Sequence, residues 1–164
     1  METLHIAIDR LKFTSKKPFD EVLTGLYTGI GRPDFSELTR RLAATHDLTE
    51  FENIANSAAG SSGLLEFLQL NLGAAIDVGR ATPPRRMIRI IAGNPAIMRQ
   101  MTEWAPDAGS YAPITLLIYG SDSVVYVCYD RLESFLIPYD NATASKVAKD
   151  LDDKVISLIE RATR

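Results

Sequence analysis

The chain has one cysteine, Cys128, two histidines, His5 and His46, and one tryptophan in 164 residues. A lone cysteine makes no internal disulfide, and with two histidines it cannot close a Cys/His zinc site, so a reducing compartment such as the cytoplasm is expected. No window approaches the roughly 18 uncharged apolar residues of a membrane helix, and no basic segment followed by an apolar run opens the chain. Neither membrane insertion nor standard export is therefore expected. Positive charge is also not in excess: the net charge of −3 gives no general attraction to phosphate backbones, which argues against a nucleic-acid partner. Phosphate-cradling glycine loops, dinucleotide fingerprints, paired-histidine helices and calcium loops are missing, so no cofactor and no metal is implied.

What is present is a composition that folds. Hydrophobic residues make up 46% and charged residues 24% of the chain, near globular averages. A chain of this length buries enough surface for one core, so residues 1–164 read as a single domain.

Leu4, Ile6 and Ile8 alternate with polar or small neighbours and predict a first strand over residues 4–11. Pro18 opens a short amphipathic helix carrying Phe19, Val22, Leu23 and Leu26, closed by Gly29 and Gly31. Asp34 with Glu37, and Thr49 with Glu52, have capping-box spacing and predict two more helices over about residues 34–59. Gly60-Ser61-Ser62-Gly63 breaks the helical pattern before an extended stretch, Leu64 to Leu70; a turn at Gly73 and an apolar run to Val78 follow. Arg80 to Arg86 reads as an exposed connector, and Met87 to Ala92 as a strand. Gly93-Asn94-Pro95 ends it and caps another helix. Strands at Ile114–Tyr119 and Val124–Tyr129 flank a hairpin turn. Last, Ala144, Ala148, Leu151, Val155, Leu158, Ile159 and Ala162 form one apolar stripe on a long helix capped by Asn141. The order predicts an α+β fold, an antiparallel sheet covered on one face by helices.

Four groups of residues could carry chemistry. Glu66, on the same side of its strand as Leu64, Leu68 and Leu70, would face an apolar environment suited to a proton-transferring carboxylate; the plainer alternative is an edge-of-sheet glutamate reaching solvent or an arginine. Arg80, Arg85, Arg86 and Arg89 precede the helix start at Asn94, where arginines and a helix N-terminus could hold an anion; a solvated connector and an ordinary cap explain the same residues. Tyr126 and Cys128 share a strand face, with Tyr119 and Tyr129 nearby, and could line a cavity or simply fill the core. His46-Asp47 with a loop serine lacks the nucleophile elbow of a hydrolase triad, and no histidine is visibly placed to activate Cys128.

Gly93-Asn94-Pro95, Met101, Pro106-Asp107-Ala108-Gly109, Ala112-Pro113 leading into Leu116–Tyr119, and Tyr129-Asp130 after the hairpin together resemble the domain of unknown function 302 family (DUF302). Leu64-Leu65-Glu66-Phe67, ahead of Gly73, adds to the resemblance, which spans about residues 63–160. It implies a TATA-box-binding-protein-like arrangement of strand, helix, four strands and helix, often as a homodimer, with residues 34–59 as a helical insertion. It implies no activity.

The resulting expectation is a protein that binds a small, partly apolar or anionic molecule between the sheet and the final helix, contacted by Tyr119, Tyr126, Tyr129, Arg86 and Asn94. The alternatives are a small cofactor-independent isomerase or cyclase using Glu66 as acid or base, and a dimeric interaction module.

Overall fold

The computed structural model describes residues 1, 3–80, 85–121 and 123–164. Among these the chain runs β1 (Arg10–Ser15), α1 (Phe19–Tyr27), β2 (Ile30–Gly31), α2 (Phe35–Ala44), α3 (Leu48–Ala58), β3 (Leu64–Asn71) and α4 (Leu72–Asp77). It continues as β4 (Arg86–Gly93), α5 (Pro95–Thr102), β5 (Ile114–Ser121), β6 (Val124–Asp130), α6 (Leu132–Leu136) and α7 (Ala142–Thr163). The class is α+β, with the long C-terminal helix that the apolar stripe required. No helix of the described residues is long and apolar enough to cross a membrane. The part of the expected connector at residues 81–84, and position 122 of the hairpin turn, lie outside the described residues.

Period-two burial builds the sheet. Ile88 and Ile90 on β4, Ile114, Leu116 and Ile118 on β5, and Val125, Val127 and Tyr129 on β6 are buried and form its inner face. The strands lie in the order β1-β6-β5-β4-β3-β2, antiparallel except for the short parallel pair β2–β3. Phe19, Val22 and Leu26 of α1, and Ala148, Leu151, Val155, Leu158 and Ile159 of α7, belong to the same core cluster. The core therefore sits between the inner face and these two helices.

Leu64 and Leu65, neighbours on β3, must point to opposite faces, and both are fully buried. Leu64 joins the main core, while Leu65 packs with Leu38 of α2 and Ile54 of α3 in a second small cluster. Gly31 and Gly60 let this α2–α3 unit dock. A Cβ on Gly60 would lie 2.3 Å from the Gly29 carbonyl oxygen, and one on Gly31 would lie 2.2 Å from that of Ala58.

Several elements differ from the sequence reading. The first strand begins at Arg10, because its partner β6 ends at the pair Arg10↔Asp130, and residues 4–8 lie beyond any pairing edge. Leu4 and Ile8 are correspondingly exposed. α3 starts one cap earlier, on Asp47, whose carboxylate accepts the Glu50 amide at 2.7 Å. An aspartate caps better than the threonine two residues on. The apolar run after Gly73 is a single short helix, α4, capped by Asn71.

Candidate functional site

Opposite the helices, the outer face of the sheet is left open over its central strands. Strand register assembles it in rows: Leu70, Arg89, Leu117, Cys128 and Lys12 face one another across five strands, and Met87, Tyr119, Tyr126 and Thr14 form the row beside them. A third row pairs Leu68, Ile91 and Thr115, and at its far end Arg10 meets Asp130.

A groove of about 580 Å³ lies on this face. Its floor is Ile91, Thr115, Leu117 and Cys128, and its wall is Tyr111 and Phe135, whose rings stack with centroids 4.8 Å apart. The Tyr111 hydroxyl shares a 2.7 Å hydrogen bond with that of Tyr139, which holds the wall in place and, with burial, raises the Tyr139 pKa.

Two arginines border the groove and differ in charge balance. Arg10 is clamped by both carboxylate oxygens of Asp130, at 2.6 and 2.7 Å, so its charge is neutralised and its pKa raised. Arg89 is held only by a 3.2 Å hydrogen bond from Nη2 to Thr115 Oγ1, and among the described residues no carboxylate lies in salt-bridge range of it. The groove thus combines an apolar floor with one uncompensated cation.

A smaller cleft of about 200 Å³ adjoins the start of β5, lined by Phe67, Gly93, Met98, Met101, Pro113 and Leu151 among others. Asn94 also borders it, but its side chain is fully engaged. Oδ1 accepts the Ala96 amide at 2.9 Å, and Nδ2 donates to Asn56 Oδ1 and the Gly63 carbonyl at 3.1 and 3.0 Å.

The residues singled out in the sequence fall in different places. Tyr119 and Tyr126 lie together on the open face, with centroids 5.2 Å apart, and Lys12 Nζ stands 4.0 Å over the Tyr126 ring. Contact with the Tyr119 hydroxyl raises the Lys12 pKa. Tyr129 points the other way, into the core. Between the sheet and α7, side chains pack as core along most of the helix, so the expected cavity there is reduced to the small cleft touching Leu151, and the larger space lies on the opposite face.

Arg86 and Asn94 are not brought together. Arg86 opens extended β4 and Asn94 follows its last residue, which puts them about 27 Å apart along the chain at the usual rise. Arg86 pairs with Asp20 and lies 4.3 Å over the Phe19 ring, while Asn94 caps α5.

Glu66 borders neither groove nor cleft. A β-bulge between Glu66 and Leu68 inserts Phe67, so Leu68 and Leu70 emerge on the open face and Gln69 shares Glu66's inner side. Glu66 Oε1 lies 3.6 Å from Arg32 Nε, and its buried Oε2 has no hydrogen-bond partner among the described residues. Beside it, Tyr27 donates to Gln69 Oε1, and burial together with the Glu66 charge pushes the Tyr27 pKa up to about 12. His46 is exposed, and Asp47 is spent as a helix cap. Among the described residues no cluster of three His, Cys, Asp or Glu side chains is placed to hold a metal ion.

Asp152 escaped the sequence reading. It is fully buried on the apolar stripe of α7, and accepts from the Tyr129 hydroxyl and from the Leu132 and Glu133 amides at 2.5, 2.8 and 3.0 Å. Its signal was an acidic residue at stripe spacing, four after Ala148 and three before Val155.

Residues 38–162 match the family described as "Domain of unknown function DUF302". The crystal structure of an uncharacterized conserved DUF302 protein from Bacillus stearothermophilus superposes with a TM-score of 0.65 over 96% of this chain and 100% of that one. At 11% identity the likeness is one of fold. No curated protein matches the chain.

Proposed function

The chain belongs to the DUF302 family, which is defined without an activity, and from that premise we propose that it binds a small, partly apolar anion in the groove on the open face of the sheet. One observation carries the reading: Arg89, without a carboxylate partner among the described residues, stands over an apolar floor of Ile91 and Leu117 beside the Tyr111–Phe135 wall. A ligand pocket ordinarily pairs such an apolar surface with a few convergent polar groups. A carboxylate or phosphate on Arg89 makes charge-assisted hydrogen bonds, and the ligand's apolar body covers the floor.

The test is an amide NMR titration with a panel of benzoate, hexanoate and inorganic phosphate. Shifts centred on Arg89, Thr115, Leu117 and Cys128, lost in Arg89→Leu, are expected for at least one of them. A panel that leaves those amides unmoved would overturn the proposal. Native mass spectrometry of protein purified from its own host then supplies the mass of the natural ligand.

A further inference from the structure

The groove and the small cleft share a border. Pro113 and Ile114 line both, so the two spaces meet where the chain enters β5. Their chemistry differs. The groove carries Arg10, Arg89, Asp130 and Ser110 around its apolar floor, whereas the cleft has no charged residue, and its one polar side chain, Asn94, has spent both amide groups on the protein.

The cleft owes its form to local sequence. The bulge turns Phe67 out of the alternation of β3 and sets its ring over Gly93, where a Cβ would come within 3.0 Å of Phe67 Cε2. Glycine at this point allows the ring to close one side. Met98 and Met101, one turn apart on α5, supply another wall with adaptable, unbranched side chains.

We infer that the ligand of the groove is a single-chain amphipathic acid, its head group on Arg89 and its tail crossing Pro113 into the cleft between α5 and Leu151. The inference rests on the groove reading and adds the class of molecule. An apolar tail is the fitting occupant because, among the described residues, no side chain lining the cleft offers a free hydrogen bond, and a polar group placed there would lose its water with little compensation. The cleft also bounds the length. A methylene takes about the 30 Å³ that a water molecule occupies in the liquid, so about six or seven fill the space.

The experiment is a calorimetric titration of the full chain with straight-chain carboxylates from butanoate to dodecanoate, below their micelle concentrations, with the methionine methyl resonances followed in parallel. Affinity should rise about fourfold per methylene over a window of about six or seven carbons, then level off. The Met98 and Met101 methyl signals should move with the long acids and stay still with butanoate. If every acid binds in the groove with one affinity and the methionine methyls never move, the tail assignment is overturned and the groove reading stands. If none of the acids shifts the groove amides, the groove reading falls as well.

Discussion

The Tyr129 hydroxyl donates to Asp152 Oδ1 across 2.5 Å, joining the inner face of the sheet to the middle of α7. Asp152 is fully buried in the core, and it is tolerated there because the Leu132 and Glu133 amides also donate to it and the Arg131 guanidinium lies 3.6 Å away. One carboxylate thus sets the height of α7 over the sheet and the direction in which the chain leaves β6.

Asp152→Ala is expected to cost about 3 kcal/mol or more, since it strands three donors, the Tyr129 hydroxyl and Leu132 amide buried and the Glu133 amide partly so. Tyr129→Phe removes one of the three bonds and should cost about 1 to 2 kcal/mol. Urea unfolding of both variants gives the order. Equal midpoints for wild type and Asp152→Ala would contradict the role assigned to the carboxylate.

Arg89→Leu should leave stability within about 0.5 kcal/mol of wild type, because an exposed side chain held by one hydrogen bond to Thr115 contributes little to the fold. Binding of any carboxylate probe that occupies the groove should weaken at least about tenfold, the usual worth of a charge-assisted hydrogen bond. Calorimetry beside thermal melting separates the two effects.

Gly60→Ala should destabilise the α2–α3 unit by about 2 kcal/mol or more, because the added Cβ meets backbone, the Gly29 oxygen at 2.3 Å and the Gly31 nitrogen at 2.6 Å, and neither can step aside. Hydrogen exchange should quicken in α2 and α3 before it does in α7. Uniform protection across both regions would show that the docking is not local.

Alkaline pH should unfold the protein partly through Tyr27. Its folded pKa is pushed up to about 12 by burial and by Glu66, against the usual value near about 10. The fold prefers the neutral phenol, so this contribution is complete below about pH 10 and fades as pH rises from there toward about 12. Tyr27→Phe should show a shallower loss of stability across that window in urea midpoints. Tyr129, raised by its burial and by Asp152, would account for a decline that persists in the variant.

Much of this fold is legible because its strongest signals are long or chemically explicit. The α7 stripe, the Asn94 cap with Pro95 behind it, and the β5–β6 hairpin needed no tertiary information. Residues 4–8 alternate as well as any strand does, yet remain unpaired because pairing is decided by where β6 ends. β3 shows the opposite difficulty. Its alternation looks regular through Leu64, Glu66, Leu68 and Leu70, but the bulge at Phe67 shifts the parity, and nothing in the composition of those residues announces it. The groove was hidden for the same reason: its floor gathers residues from three strands, which only the register brings side by side. Asp152 was within reach, since a carboxylate on an otherwise apolar helical stripe demands partners.

The strand order also has a kinetic reading. From β2 to β6 each strand lies beside its neighbour in sequence, so that part of the sheet can grow by short-range steps. β1 is the exception, because Arg10–Ser15 pairs only with residues 125–130, and Ser15 Oγ bonds to the Thr163 carbonyl at 2.7 Å. Closing so long a loop carries a large entropic cost before any contact offsets it. β1, synthesised before the other five strands, is then among the last of the six to be placed: on the ribosome it must wait, unpaired, until β6 and α7 have been made.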